Sequence, residues 1–237
     1  MTLAFALWLV PVAFAQPACQ APARRLLDHA FFRICYDSSL KAPVWTGYEL
    51  RPEHLGHSAR RPSSFRLDPS IEFPAASNAD FRLAGFSRGH MVPAADLAWS
   101  EQGYRATFFL TNVVAQKQSV NAGVWRRLEN AVRRIAASSD SVQVFTGPLF
   151  DSPVIDVIGP GRVAVPTHTY KVLLAVKGKR MIMFAAIVPN TANLAAPLPH
   201  FAVSVDEVER RSGLDFFSVL DDKKEELLEA AREFLLP

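Results

Sequence analysis

Four stretches of the chain are rich in β-branched and aromatic residues and are bounded by Gly, Pro or Asn, which is typical of β-strands. They are residues 106–114, 141–150, 169–176 and 181–190. The last two form the run KVLLAVKGKRMIMFAAIV, which predicts a hairpin that turns at residues 177–179. Apolar residues occupy both odd and even positions, so we expect strands that are covered on both faces.

Three other stretches have helical character. Between about residues 119 and 135 the apolar positions recur on one face, at Val124, Leu128, Ala131, Val132 and Ile135. Residues 221–236 form a second amphipathic stretch, which begins with two aspartates in the favourable sense for the helix dipole. Residues 204–213 predict a short helix that ends at a glycine. Strands and helices alternate without a regular βαβ period, so we predict an α+β domain with a mostly antiparallel sheet.

Composition adds little to this pattern. The chain has 237 residues, 49% hydrophobic and 21% charged, which is an ordinary globular balance. That length allows one large domain or two small ones. The net charge is +3, which is compatible with nucleic-acid binding but is weak support by itself. More informative is the gathering of arginines in RRP at 60–62 and in WRRLENAVRR at 125–134.

The N-terminus predicts export. Residues 3–12 are apolar but too few to span a bilayer, and Ala13-Phe14-Ala15 has the small-x-small pattern of a signal-peptidase site. We therefore expect a signal peptide over residues 1–15 and a periplasmic or secreted protein with no membrane attachment after cleavage. The alternative is an uncleaved anchor or a buried N-terminal segment. A signal peptide usually begins with positively charged residues, and here the α-amino group is the sole positive charge before the apolar run. A mitochondrial transit peptide is disfavoured, since the first arginine is Arg24.

The two cysteines, Cys19 and Cys35, follow the expected cleavage point closely. In an oxidising compartment they predict one disulfide that closes a short loop. Their spacing fits no zinc pattern, because two thiols without nearby histidines leave the metal with too few ligands. We predict an N-terminal segment over residues 16–42 and a single domain over residues 43–237.

Polar residues also recur along the predicted helix near residue 121. At 100° per residue, Asn121, Glu129 and Arg133 fall on one lateral stripe beside Trp125. A solvated face with an i,i+4 Glu–Arg pair explains most such stripes. A second interpretation is a site that combines an amide, a carboxylate and a guanidinium.

The stretch FSRGHMVPAAD, residues 86–96, supplies what that site needs. A neutral histidine, here His90, can take a proton from water at physiological pH. Gly89 would let another group approach the backbone closely. A hard oxygen ligand such as Asn121 can hold Mg²⁺, and Arg88 and Arg133 can bind phosphate. The set is the one required for metal-assisted phosphodiester hydrolysis. The sequence contains no GxSxG, HExxH or Gly-rich phosphate loop, so the hydrolase classes built on those motifs lose support.

The motifs SRGHMVPAA, TNVVAQ and NAGVWRRLEN, in this order, resemble the DNA/RNA non-specific endonucleases of the ββα-metal superfamily. That family includes secreted bacterial nucleases and the mitochondrial endonuclease G group. The similarity continues through VFTGPLF, VPTHTYKVLL, IVPN and SVDEVERRSGLDFF, and it covers roughly residues 43–220. It implies a ββα-metal nuclease fold with a central sheet flanked by helices. It also implies an enzyme that cuts phosphodiesters of DNA and RNA and leaves 5′-phosphate ends.

Carried over by position, the resemblance implies a role for each matching residue. His90 looks like the general base. Asn121 looks like the sole direct protein ligand of one Mg²⁺, for which Mn²⁺ or another divalent ion would substitute, and Glu129 like an anchor for metal-bound waters. Arg88 and Arg133 look like phosphate contacts, with an ion pair inside the site as the alternative for Arg88.

Further positions match the family more loosely. Asn112 and Gln116 correspond to polar positions beside the site and are predicted to support substrate binding. An arginine near RRPSSFRLD also has a counterpart, and of Arg60, Arg61 and Arg66 we select Arg61. Contacts would be mainly to the phosphate backbone of DNA and RNA, by a monomer or a homodimer.

Ser87 departs from the family, which usually has Asp at this position. Serine keeps a short hydrogen-bonding side chain but no charge, and a tuned pKa can depend on one charge. The alternative function is therefore a catalytically attenuated nucleic-acid-binding homologue.

Overall fold

The computed structural model describes residues 16–82, 84–152 and 154–232. In these residues the strands are β1 (Arg24–Asp28), β2 (Phe32–Asp37), β3 (Ala42–Leu50), β4 (Ser87–His90), β5 (Val113–Gln116), β6 (Ser141–Leu149), β7 (Val157–Ile158), β8 (Val163–Ala164), β9 (His168–Lys177), β10 (Arg180–Pro189) and β11 (Ala202–Val203). The helices are α1 (Glu101–Ala106), α2 (Gln118–Val120), α3 (Arg126–Ala137), α4 (Val205–Ser212) and α5 (Asp222–Glu229). A π-helical turn, Asn121–Trp125, joins α2 to α3, and short 3₁₀ turns cover Pro52–His54, Ala94–Leu97, Leu110–Asn112 and Leu198–Phe201.

The centre of the fold is a seven-stranded sheet in the order β1-β2-β3-β6-β9-β10-β11, and every neighbouring pair is antiparallel. Its two faces carry separate apolar cores. One core includes Val144 and Leu173 and packs against α3. The other includes Phe145 and Val172 and packs against α4 and the segment that follows it. Strands apolar at both parities are therefore covered on both faces, and the predicted α+β fold with a mostly antiparallel sheet is confirmed.

The predicted hairpin is present as β9 and β10, in which Lys177 pairs with Arg180. Gly178, one of the two residues between them, has φ +58°, a conformation that glycine adopts without a Cβ clash. The hairpin contributes the two longest strands of the sheet described here, which explains why its sequence signal is strong.

The N-terminal residues belong to the same sheet. Strands β1 and β2 precede residue 43, and β3 begins at Ala42, so the predicted boundary between residues 42 and 43 falls inside a strand. It is therefore not a structural boundary. The predicted disulfide between Cys19 and Cys35 is present and ties the segment before β1 to β2. The predicted signal peptide, residues 1–15, lies outside the described residues.

The helix near residue 121 follows the prediction on its apolar side and departs from it on its polar side. Val124, Leu128 and Ile135 are buried, as expected for a core face. However, Gly123 has φ −102° and ψ −107°, which is not helical, and the π turn breaks the regular advance of 100° per residue. The single stripe from Asn121 to Arg133 is consequently wrong as a geometric description.

The predicted strand at residues 106–114 is mostly wrong. Ala106 ends α1, whose cap Ser100 accepts a hydrogen bond from Gly103 N at 3.2 Å. A 3₁₀ turn follows, and the strand in this region, β5, covers Val113–Gln116. Phe108 and Phe109 are buried in irregular backbone, so their apolar character reflects burial rather than extended structure.

The last two predicted helices form. Ser204 caps α4 by accepting from Glu207 N at 3.3 Å, and Gly213 ends it with φ +68°. Helix α5 ends at Glu229, earlier than the predicted residue 236, and residues 233–237 are outside the described part. No helix in the described ranges has the length and apolar character needed to cross a membrane.

Candidate active site

The site is built on the β4–β5 ribbon and on the helical segment that follows it almost without interruption. In the ribbon His90 pairs with Val113, and Lys117 separates the end of β5 from α2. The indole Nε1 of Trp125 donates to the carbonyl oxygen of His90 at 3.3 Å. This bond ties the π turn that begins with Asn121 to the strand that ends with His90.

The His90 ring lies between aromatic side chains. Its centroid is 5.0 Å from that of Phe65 and 5.1 Å from that of Phe108. Its Nε2 atom is buried and has no hydrogen-bond partner among the residues the structure describes. Burial lowers the pKa of His90 to about 4, and the positive charge of Arg61 acts in the same direction. A neutral imidazole with an unused nitrogen is the form a general base requires.

The absence of a side chain at Gly89 has a structural reason. A Cβ at this position would lie 2.5 Å from Oε1 and 2.8 Å from Cβ of Gln116. Gln116 is fully buried, and its Nε2 donates a long bond of 3.4 Å to Thr169 Oγ1. The predicted close approach to the backbone at Gly89 is therefore confirmed, and Gln116 is the group that makes it.

Asn112 holds the chain just after the histidine. Its Oδ1 accepts from Val92 N at 2.9 Å, and its Nδ2 donates to Val92 O at 3.0 Å and to Thr107 O at 2.9 Å. Asn112 and Gln116 are both fully buried, so neither reaches a surface that a nucleic acid would touch. The structure corrects their predicted substrate contact to a position beneath the site.

Asn121 is the first residue of the π turn and is half-buried. Its side chain makes no hydrogen bond to another described residue, so its amide oxygen is available to a ligand. Such oxygens suit Mg²⁺, which keeps most of its shell as water, and π turns occur frequently at functional sites. Glu129 follows on the same helical segment, and burial raises its pKa, so a nearby cation would favour its charged form. The donors therefore fit one hard divalent ion.

A buried ion pair lies below Glu129. Asp96 is fully buried, and it accepts from Tyr48 Oη at 2.6 Å and from Arg133 Nη1 at 2.5 Å. Arg133 Nη2 donates to Asn130 Oδ1 at 2.5 Å. The Arg133 guanidinium is thus bonded inside the protein, with 23% of its side chain exposed. Phosphate contact by Arg133 stays a prediction, and the contacts shown are structural.

Lys171 of β9 completes this polar layer. It is fully buried, its Nζ donates to Thr146 Oγ1 at 2.8 Å, and the same atom lies 5.0 Å from the Trp125 ring centroid. Burial lowers the Lys171 pKa and raises that of Glu129, and the opposite charges of the two groups partly offset both shifts. The alternative of a solvated helix face with a simple Glu–Arg pair is therefore wrong, because Asn121, Glu129 and Arg133 are half-buried and Arg133 pairs with Asp96 instead of Glu129.

Arginine lines the open side of the site. Arg88 Nη2 donates to Asn78 O at 3.1 Å, and the guanidinium carbon lies 5.1 Å from the Phe81 ring centroid and 5.6 Å from that of Phe65. Arg88 has no carboxylate partner within the described ranges, so the ion-pair alternative receives no support. Its charge is left for a ligand.

Of the three candidate arginines, Arg61 lies beside the histidine pocket. Its guanidinium carbon is 5.4 Å from the centroid of Phe108, the ring that packs edge-on against His90. A cleft of about 480 Å³ is lined by both Arg61 and Arg88. A second groove of about 820 Å³ shares Arg61 and adds Arg60, Arg66, Tyr104 and Arg105. Glu101 also lines this groove and pairs with Arg105 at 3.6 Å, so the positive charge that continues away from the site is mainly that of Arg60 and Arg66.

Ser87, the position that departs from the family, is the first residue of β4. Its hydroxyl donates to Oε1 of Gln118, the first residue of α2. The serine thus joins the ribbon to the helix. A carboxylate here would need a donor instead, and the NH₂ group of the Gln118 amide could supply one after a flip.

Sequence reasoning missed Asp96 and Lys171. Asp96 lies in the stretch that contains His90, yet nothing in its neighbours indicates burial. For Lys171 a signal existed, because it interrupts a strand that is apolar on both faces. A lysine in such a strand is either a surface residue or a buried charge with a partner.

Two antiparallel strands followed directly by a helix, with a histidine on the first strand and an asparagine at the start of the helical segment, define the ββα-metal class of nuclease folds. The chain belongs to the DNA/RNA non-specific endonuclease family, whose family model matches residues 11–223.

Named relatives agree with this assignment. The chain is 39% identical to the protein "Endonuclease G, mitochondrial" of Homo sapiens over 81% of this chain and 69% of that protein. It is 38% identical to "Nuclease EXOG, mitochondrial" of Danio rerio over 89% of this chain and 65% of that protein. It is 36% identical to "Nuclease C1" of Cunninghamella echinulata var. echinulata over 84% of this chain and 85% of that protein. The chain spans between 60% and 69% of the length of the EXOG and endonuclease G relatives.

A solved structure also matches. The chain resembles a protein in the crystal structure of the EndoG/EndoGI complex, which addresses the mechanism of EndoG inhibition. The TM-score is 0.78 at 32% identity, with 84% of this chain and 87% of that chain covered. The similarity therefore extends over most of the chain.

Proposed function

We propose that the chain is a metal-dependent endonuclease that hydrolyses phosphodiester bonds of DNA and RNA and leaves 5′-phosphate ends. The single observation that supports this most is the unpartnered, buried Nε2 of His90 on a ribbon that is bonded to the turn carrying Asn121. Buried polar atoms without partners are costly, and catalytic sites are one of the few places where they persist.

His90 is the general base in this proposal. Its lowered pKa keeps the imidazole neutral at physiological pH, so Nε2 can accept a proton from the attacking water. The Trp125–His90 hydrogen bond fixes the backbone of the histidine, and the rings of Phe65 and Phe108 fix its side chain. The negative charge of an incoming phosphate would stabilise the imidazolium that forms.

Asn121 would hold the metal ion directly, and Glu129 would orient the waters around it. When bound, Mg²⁺ or a substitute such as Mn²⁺ supplies Lewis-acid stabilisation of charge on phosphoryl oxygens. Lys171 and Arg133 favour the charged form of Glu129, and Asp96, which opposes it, holds Arg133 in place through their ion pair. We assign Arg133 this positioning task, because its two Nη atoms are already bonded.

Arg61 and Arg88 would bind the phosphate at the cleaved bond, since both line the cleft and neither has a carboxylate partner in the described residues. The groove with Arg60, Arg66 and Arg105 would hold phosphates further along the strand. Contacts to phosphate carry no information about the base sequence, which is consistent with a non-specific enzyme. Binding should therefore weaken steeply as salt rises.

The direct test is cleavage of plasmid DNA and of an unstructured RNA by the purified protein, with Mg²⁺ and with EDTA. Cleavage of both substrates with Mg²⁺ alone is expected. For the Asn121→Ala variant the Mg²⁺ titration should move to higher concentrations, while nucleic-acid binding is unchanged. A protein that cleaves neither substrate with any divalent ion is not an active nuclease.

The second candidate function, an attenuated nucleic-acid-binding homologue, is favoured by Ser87. The hydroxyl bond to Gln118 keeps the ribbon joined to the helix without the usual charge. The Ser87→Asp variant separates the two functions when its cleavage rate is compared with that of the wild type. A rate that rises by more than about tenfold would identify the natural protein as attenuated, and an equal rate would show that serine suffices.

We also propose that the protein works in an oxidising compartment, periplasmic or extracellular, because disulfides persist there. Several relatives carry the word mitochondrial in their names, so cell fractionation with a disulfide-sensitive gel is the deciding experiment. Light scattering of the purified protein would distinguish the monomer from the homodimer.

A further inference from the structure

Three carboxylates meet between α4 and α5, on the face of the sheet away from His90. Asp206, Glu209 and Glu229 each offer an oxygen atom, and these atoms all lie within 4.8 Å of one another. We call them the α4–α5 acidic cluster. Asp206 is exposed, Glu209 is half-buried, and Glu229 is 7% exposed, so the cluster runs from the surface into the protein.

The deepest member lacks a partner. Glu229 Oε1 is buried and has no hydrogen bond among the described residues, and the same holds for Oε1 of the neighbouring Glu225. Glu209 uses Oε1 to accept from Phe216 N at 2.6 Å. A buried carboxylate oxygen without a donor is unfavourable, above all when the group is charged. The protein alone therefore leaves this cluster unsatisfied.

Basic residues nearby do not compensate the cluster. Arg210 and Arg211, in the last turn of α4, form ion pairs with Glu207 and Asp151. None of the three cluster residues forms an ion pair within the described part of the chain. Burial and the surrounding carboxylates raise the pKa of Glu209 to about 7 and that of Glu229 to about 8. A cation would remove the repulsion that these shifts express.

We propose that the α4–α5 acidic cluster binds one divalent cation of the size of Ca²⁺, separate from the ion of the active site. The donors are all oxygens, which suits a hard cation and gives zinc no thiolate or imidazole. The three oxygen atoms lie within 4.8 Å of one another, which is close enough for one ion to contact all three. Three protein carboxylates suit Ca²⁺, which takes six to eight oxygen ligands in flexible geometry, better than Mg²⁺, which keeps several waters and is usually bound by one or two carboxylates.

The consequence is structural. Helix α4 packs on β10 and holds Asp151 through Arg211, while α5 follows it and contacts the same strand. A cation bound by residues of both helices would hold α5 against α4 and so help to cover the apolar core that packs against α4. This inference does not depend on nuclease activity.

The test is the melting temperature of the full-length protein in the Asn121→Ala background, which removes the proposed direct ligand of the active-site ion. Calcium at about a hundred times its dissociation constant should raise the Tm by roughly 5–10 °C over EDTA. Glu229→Gln should abolish this increase and raise the Tm in EDTA, because it removes a carboxyl that on folding must either stay charged beside other carboxylates or take up a proton. Glu226→Gln, an exposed carboxylate on the same helix, should keep the full response.

Calorimetric titration of the same protein with Ca²⁺ should give one site that is lost in Glu229→Gln. The proposal is overturned if Ca²⁺ leaves the Tm unchanged, or if Glu229→Gln responds as fully as the parent. An equal increase with Mg²⁺ would overturn the assignment to a calcium-sized ion. Each readout is independent of cleavage, so failure here would leave the proposed nuclease function intact.

Discussion

The contact between Gly89 and Gln116 offers a quantitative test of how the histidine is positioned. In Gly89→Ala the new Cβ would lie 2.5 Å from Gln116 Oε1, 2.8 Å from its Cβ and 3.1 Å from its Cδ. Ordinary contacts between such atoms are about 3.5–4.0 Å. Gln116 is fully buried, so relief requires that the paired strands move apart by roughly 1 Å.

Overpacking of this kind costs about 1–3 kcal/mol, which corresponds to a Tm decrease of roughly 2–12 °C for a protein of this size. Because His90 is the next residue, a displacement of about 1 Å should also reduce kcat by about a hundredfold. Urea unfolding measures the first effect, and steady-state cleavage of plasmid DNA measures the second.

Gln116→Ala supplies the control, because it removes Oε1 and Cδ, two of the three atoms that the new methyl group would meet. The double variant should regain about 1 kcal/mol relative to the sum of the single changes. If Gly89→Ala is as stable as the wild type, or if the two changes add without coupling, the close approach does not determine the geometry of this ribbon.

Two further predictions concern the charged groups of the site. With the pKa of His90 lowered to about 4, about 97% of the imidazole is neutral at pH 5.5, whereas an ordinary pKa of 6.5 would leave about 9%. At saturating Mg²⁺ we therefore expect kcat/KM at pH 5.5 to stay close to its value at pH 7 and to fall as the pH approaches 4. A tenfold loss by pH 5.5 would contradict the lowered pKa of His90. Arg133→Ala leaves Asp96 buried without its cation and should lower the free energy of unfolding in urea by about 3–5 kcal/mol. The control Arg134→Ala, at an exposed position, should change it by less than about 0.5 kcal/mol. Equal losses of stability in the two variants would contradict the buried ion pair.

Periodicity predicted the parts of the fold in which one local pattern extends over many residues. The β9–β10 hairpin and the apolar face of α3 are of this kind, because each buried position repeats with the period of its own element. The family resemblance, not the spacing itself, implied that His90 and Asn121 belong to one site. The Trp125–His90 bond joins the strand and the helical turn that carry them.

The parts that escaped prediction depend on contacts that are distant in sequence. Strand β1 carries charged residues such as Arg25 and Asp28 and is mostly exposed, so its pattern is too polar to be interpreted as sheet. The layer of Asp96, Glu129 and Lys171 combines residues from three separate elements, and no local pattern shows that they are buried together. Phe108 and Phe109 had the opposite effect, because they favoured a strand where the backbone is irregular. Aromatic residues indicate burial whether or not the backbone is extended.

In the proposed mechanism His90 takes the proton from water while other residues bind the substrate. The most direct measurement compares wild type and His90→Ala for cleavage of plasmid DNA with Mg²⁺ and, in the same preparations, for DNA binding in EDTA. We expect His90→Ala to lose turnover by at least about a hundredfold, as for removal of a general base, with unchanged DNA binding and an unchanged circular dichroism spectrum. Turnover by His90→Ala at the wild-type rate would contradict it.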